Sequence, residues 1–143
     1  MRRLQPLLLG LCALLAAAGC GEGGTASGAT VSVYMAASLC GQVSGGRAGD
    51  LRVRLVCLAP VEKGGKVDLD AAGANARRAT EDSTAVAYVE APGPAANFSR
   101  SIVDSANLAW IETNSGSRAM RRIRSALEED SPSPRQAVLD EIG

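Results

Sequence analysis

The feature that most constrains the fold is a regular alternation between short apolar segments and longer helical patterns. Four segments have β-strand character, and they cover residues 30–36, 52–58, 84–89 and 108–111. Apolar residues spaced three and four apart predict helices, and these cover residues 68–82, 95–107, 114–130 and 135–142. Strands that alternate with helices favour a mostly parallel sheet within a layered α/β domain.

The order of the strands follows from the handedness of their connections. Right-handed crossovers predict a three-layer, flavodoxin-like domain whose four strands lie in the order 2-1-3-4. Residues 37–51 join the first two strands, and they are glycine-rich, show no helical pattern and barely reach the length of a parallel crossover. A β-hairpin is therefore the alternative. Cys40 and Cys57 favour parallel pairing, since only a parallel pair brings both cysteines to one edge of the sheet.

Residues 1–19 have the layout of a bacterial secretory signal peptide. Arg2 and Arg3 precede an apolar stretch at 4–18, which is too short for a comfortable membrane span. The small residues ahead of Cys20 resemble a lipobox, in which that cysteine becomes the lipidated first residue of the mature lipoprotein. An ordinary signal peptide with a cysteine near its end is the alternative.

The remainder of the chain divides into a tether and one domain. Residues 20–29 are rich in glycine and predict a flexible tether. Residues 30–143 are long enough for a single α/β domain with its own core. Lipid chains on Cys20 would hold that domain at the cell membrane, on its extracytoplasmic face.

Composition argues against several classes of function. The chain carries 15 basic and 15 acidic residues and four aromatic ones, so it offers neither a basic surface nor a stacking platform for nucleic acid. It has no histidine, and a Ser-His-Asp or Cys-His arrangement therefore cannot form. No glycine-rich phosphate loop and no set of four Cys or His zinc ligands is present. We expect no enzyme, no catalytic residues, no cofactor and no metal site.

Two of the four cysteines remain for the folded domain. Cys12 would leave with the signal peptide, and Cys20 is the expected lipidation site. Cys40 and Cys57 form an even pair in an exported protein, which predicts a disulfide. Two buried thiols are the alternative. A bridge would stabilise the domain by about 3 kcal/mol in the chain-entropy account.

Several segments in order resemble the first lobe of type I periplasmic binding proteins. They are VSVYMAASLCG, VRLVCL, the stretch from Gly73 to Glu112 and SGSRAMRRIRSAL. That family includes the branched-chain amino-acid receptors of ABC importers and their actinobacterial lipoprotein relatives. The resemblance covers Thr30 to about Leu127, and its strength lies in the order of the segments, since no single motif is diagnostic.

The resemblance implies an extracytoplasmic solute-binding lipoprotein that is truncated to a single lobe. Its ligand would be an amino acid or a small carboxylate, and its partner an ABC permease. Ligands of open α/β sheets bind beyond the carboxyl ends of the strands, where helix N-termini favour a carboxylate. The family uses small hydroxyl residues there, and the matching residues are Ser38, Thr113, Asn114, Ser115 and Ser117.

Two features of the expected site depart from the family pattern. Pro92 and Pro94 lack N–H donors for an anion, and Glu90 would repel a carboxylate but accept an ammonium group. Asn114 and Ser115 are also good N-cap residues for the helix that follows them. The alternative function is a non-enzymatic protein-interaction lipoprotein, which keeps the fold but has lost the ligand pocket.

Overall fold

A computed structural model describes residues 28–143. The predicted signal peptide, the lipidation site at Cys20 and most of the predicted tether lie outside the described residues. No helix within residues 28–143 is both long enough and apolar enough to cross a membrane.

The centre of the domain is a five-stranded sheet in the order β2-β3-β1-β6-β7. Strands β1 (Thr30–Met35), β3 (Leu51–Cys57), β6 (Ala85–Glu90) and β7 (Ala109–Glu112) are parallel. Strand β2 (Gly46–Ala48) pairs with β3 in the antiparallel direction and forms one edge. The predicted parallel pairing of the first two long strands is confirmed, with Val33 opposite Leu55.

Helices cover both faces of this sheet. On one face lie α2 (Leu69–Glu81) and α3 (Pro94–Ser105), and on the other lie α4 (Gly116–Glu128) and α5 (Pro134–Ile142). The alanines that α2 turns inward are fully buried, because a face without bulky side chains can approach its neighbours closely. The prediction of a mixed α/β domain with a mostly parallel sheet is confirmed, and every predicted long element ends within two residues of the observed one.

The structure differs from the prediction between the first two long strands. Residues 37–51 were expected to form a loop, yet they contain the short helix α1 (Ala37–Cys40) and the edge strand β2. The sheet therefore has five strands instead of four. A separate two-stranded hairpin, β4 (Glu62–Lys63) and β5 (Lys66–Val67), also lies between β3 and α2.

The predicted disulfide between Cys40 and Cys57 is confirmed. It joins the end of α1 to the end of β3, with 5.7 Å between the two Cα atoms. The bridge closes a separation of 17 residues, which corresponds to about 3 kcal/mol of chain entropy. It therefore ties together the carboxyl ends of the parallel strands β1 and β3.

A polar network occupies the amino end of the sheet, around Asp82. One carboxylate oxygen accepts hydrogen bonds from the Tyr34 hydroxyl at 2.8 Å and from Arg54 at 3.2 Å. The other oxygen accepts the Thr84 amide at 2.8 Å and the Thr84 hydroxyl at 2.6 Å. Burial alone would raise the pKa of Asp82, but the hydrogen bonds from Thr84 and Tyr34 outweigh it and lower that pKa from 3.8 to about 2.

Candidate functional site

A cavity of about 380 Å³ lies beyond the carboxyl ends of β1, β3 and β6. This is the position where open α/β sheets bind their ligands. Its walls come from the residues after β1, from the loop and hairpin after β3, and from the segment between β6 and α3. Most of the lining side chains are apolar, including Leu58, Val61, Val67, Pro92 and Pro94.

The turn at Pro92-Gly93-Pro94 shapes one wall of the cavity. Gly93 has a φ of +153° with ψ near 180°, a conformation that is essentially restricted to glycine. This geometry lets the chain leave β6 and start α3 with Pro94 at its first position, where a missing N–H is tolerated. The backbone conformation of this turn therefore forms the wall without a bound ligand.

Glu90 is the buried charged group of the cavity. It ends β6, is 3% exposed and lines the cavity wall. One of its carboxylate oxygens accepts a hydrogen bond from the Ser99 hydroxyl on α3. Within the described part of the chain, the ion pairs are Arg54–Asp82 and Arg100–Asp104. Glu90 thus has a hydrogen bond but no cationic side chain to balance its charge.

The surroundings of Glu90 shift its pKa upward. Burial raises the pKa of Glu90, the Ser99 hydrogen bond opposes that rise, and the nearby Glu112 carboxylate adds to it. Glu112 is close because it lies opposite Glu90 in the register of β6 and β7. A carboxyl group in a cleft whose pKa is shifted by burial and by a charged neighbour is a candidate for a functional site.

Tyr88 is a second polar group beneath the same strand end. It is fully buried, and among the described residues its hydroxyl has no hydrogen-bond partner. Burial and the charge of Glu90 raise the pKa of Tyr88 well above its ordinary value. The hydroxyl group of Tyr88 is therefore neutral at physiological pH.

Sequence patterns did not indicate the opposite wall of the cavity. Asn75 on α2 lines it, and its amide group is fixed by Ala59, donating to the Ala59 carbonyl at 2.8 Å and accepting the Ala59 amide at 3.3 Å. This pair holds the loop after β3 against α2. The end of the second long strand could have indicated this wall, because the carboxyl end of that strand lies at the same edge of the sheet as Ser38 and Glu90.

The structure separates the predicted site residues into two groups. Ser38 on α1 and Glu90 line the cavity together. The residues of the second predicted loop do not line it, and they are Thr113, Asn114, Ser115 and Ser117. Ser117 instead borders a shallow groove with Arg121 and Arg124.

Local contacts occupy the hydrogen-bonding groups of that second loop. The Ser115 hydroxyl accepts the Arg118 amide at 3.3 Å and caps α4, while the Thr113 hydroxyl accepts the Ser115 amide at 3.1 Å. The side-chain oxygen of Gln42 accepts the Gly116 amide at 3.1 Å. Gln42 therefore takes the position at the start of α4 where a ligand carboxylate would otherwise bind.

Gly116 explains why Gln42 can reach this helix end. A Cβ atom at position 116 would lie 2.7 Å from the Leu39 carbonyl oxygen, so only glycine allows α1 to pack so closely against α4. The close approach brings the residues that follow α1 over the first turn of α4. As a result the N-terminus of α4 is covered by the chain itself.

Residues 28–143 contain no cluster of three or more Cys, His, Asp or Glu side chains that could hold a metal ion. Comparisons with protein-family models, with curated proteins and with solved structures find no match to this chain. The shape and the charges of the cavity are therefore the observations that indicate what it can bind.

Proposed function

We propose that this chain is an extracytoplasmic solute-binding-like lipoprotein, related to the amino-acid receptors of ABC importers. In this proposal residues 30–143 form a single flavodoxin-like domain, similar to the first lobe of a type I periplasmic binding protein. The cavity binds a small solute, Cys20 carries the lipid anchor on the outer face of a bacterial membrane, and an ABC permease is the protein partner. The chain is not an enzyme.

The observation that carries the proposal is the position and character of the cavity. It has a volume of about 380 Å³, lies at the carboxyl ends of parallel strands and combines apolar walls with the buried Glu90. Ligand pockets are commonly of this size, mostly apolar and provided with a few polar groups. The four parallel strands lie in the order β3-β1-β6-β7, which is the arrangement that right-handed crossovers favour.

Calorimetry with the full-length chain in neutral phosphatidylcholine nanodiscs tests the proposal. The titrants are amino acids, small carboxylates and small amines, and empty nanodiscs give the blank. Ser38→Trp fills the mouth of the cavity from the exposed helix α1, whereas Ser101→Trp places the same side chain on an exposed position of α3 away from the cavity. Saturable binding that Ser38→Trp abolishes and Ser101→Trp preserves is the expected result.

A second candidate function is the protein-interaction module, and two exposed apolar side chains favour it. Leu69 is 46% exposed and Phe98 is 41% exposed, and Phe98 lies against Gly73 one helical turn from Leu69. A folded chain that binds none of the small molecules would overturn the solute-binding proposal and favour this alternative.

A further inference from the structure

The cavity contains acidic groups but no basic ones. Its lining includes two ionisable side chains, Glu62 at the exposed rim and the buried Glu90. No Lys or Arg of the described chain is among the lining residues. A carboxylate that entered would lose its hydration and meet charges of its own sign, which costs free energy without a compensating partner.

Backbone donors for an anion are also scarce around the cavity. Pro94 begins α3 without an N–H group, and the amides of Ala96 and Asn97 point back to the Gly93 carbonyl at 3.1 and 3.4 Å. At α4, the nearest equivalent helix end, Gln42 accepts the Gly116 amide. Hydrogen bonds within the chain therefore occupy most of the backbone amides with which these helix N-termini could bind a carboxylate.

Glu90, in contrast, favours a cationic ligand. Its hydrogen bond to Ser99 runs through one carboxylate oxygen, and the second oxygen has no hydrogen-bond partner among the described residues. A buried carboxylate is stabilised when a charged donor pairs with it, and such charge-assisted hydrogen bonds are stronger than neutral ones. A ligand ammonium group supplies both the missing charge and the missing donor.

We propose that the cavity selects a small primary amine with an aliphatic body, and that Glu90 binds the ammonium group of this ligand. The apolar side chains of Leu58, Val61 and Val67 contact the aliphatic part. This inference rests on the proposed solute-binding function and narrows its ligand from amino acids and carboxylates to organic cations.

Four titrants of similar shape test the selectivity. They are 3-methylbutylamine, the neutral 3-methylbutan-1-ol, the anion 4-methylpentanoate and the zwitterion leucine. Each is titrated calorimetrically into the full-length chain in phosphatidylcholine nanodiscs, which carry no net charge that would attract the amine. We expect the amine to bind at least about tenfold more tightly than the alcohol, because its ammonium group adds an opposite charge to the hydrogen bond that either ligand can donate to Glu90, and the anion not to bind.

Two matched variants assign the effect to Glu90. Glu90→Gln keeps the shape of the side chain and removes its charge, and it should weaken amine binding about tenfold or more and weaken alcohol binding by less. Glu112→Gln removes the same charge from the neighbouring strand end, outside the cavity lining, and should retain amine binding.

The outcomes separate the two proposals. If 4-methylpentanoate or leucine binds more tightly than the amine, the amine inference is wrong and the solute-binding function stands. If the amine binds equally well to Glu90→Gln, Glu90 is not its partner and the inference also fails. If no titrant binds to the folded chain, both proposals are overturned.

Discussion

The two ends of the sheet each contain a carboxylate, and the protein treats them in opposite ways. At the amino end, Asp82 receives four hydrogen bonds, which come from Tyr34, Arg54 and the amide and hydroxyl of Thr84. At the carboxyl end, Glu90 receives one, from Ser99. Accordingly the pKa of Asp82 is lowered to about 2, whereas burial raises the pKa of Glu90.

This contrast separates a structural carboxylate from a candidate functional one. Hydrogen bonds to the charged form stabilise it, and burial without them destabilises it. The amino end is therefore held together by its charged group, while the carboxyl end retains a charge that its own side chains do not fully compensate. The disulfide between Cys40 and Cys57 is a covalent cross-link at that second end.

Removing the disulfide should have the largest effect on stability. The double variant Cys40→Ser with Cys57→Ser should lose about 3 kcal/mol of unfolding free energy, because the closed loop of the unfolded chain is released. Urea unfolding followed by circular dichroism measures the loss. The wild type treated with reductant should show the same loss, and a reductant that leaves its stability unchanged would contradict the expected role of the bridge.

Neutralising Asp82 should be the next largest change. Asp82→Asn removes the charge that Tyr34, Arg54 and Thr84 stabilise, and it should cost about 2 kcal/mol, the energy that corresponds to the lowered pKa. Urea unfolding at neutral pH provides the measurement. Asp104→Asn is the matched control, since its ion pair with Arg100 is exposed and contributes little.

The same carboxylate predicts how the protein responds to acid. Because the folded pKa of Asp82 is about 2 and its ordinary value is 3.8, its contribution is complete above about pH 4 and is lost as the pH falls toward 2. The wild type should therefore lose about 2 kcal/mol over that interval. The unfolding free energy of Asp82→Asn should not show this loss across the same pH range. If the unfolding free energies of the two proteins fall equally with pH, the network around Asp82 does not make this contribution.

Glu90→Gln should have the smallest effect and the opposite sign. A raised pKa means that the carboxylate form is destabilising in the folded state, so the neutral glutamine should increase stability at pH 7 by less than Asp82→Asn decreases it. The gain should shrink as the pH falls, because Glu90 in the wild type then becomes neutral as well. Paired urea titrations at pH 7 and pH 4 test this, and a loss of stability at pH 7 would show that Glu90 is a structural residue like Asp82.

The long elements could be predicted from the sequence because their signals are local. Alternation of short apolar segments with helical patterns fixes α2, α3 and α4 and the four parallel strands, and Ser115 caps α4 as its position suggests. The disulfide could also be predicted from the sequence, since parallel pairing of two strands places Cys40 and Cys57 at the same edge of the sheet.

The features that sequence patterns missed depend on contacts between distant segments. Strand β2 has three residues, two of them small, and it exists because the edge of β3 is available for pairing. Gln42 carries no recognisable motif, yet its contact with Gly116 decides which loop remains open to a ligand. Asn75 similarly becomes part of the cavity wall only when the loop after β3 folds back onto α2.

The position of the disulfide also has a consequence for folding. Parallel strands are slow to pair, because a long connection must be ordered before any contact forms. The bond between Cys40 and Cys57 spans 17 residues and joins the end of α1 to the end of β3, so oxidation shortens the chain path between β1 and β3 and lowers the entropy cost of pairing these two strands.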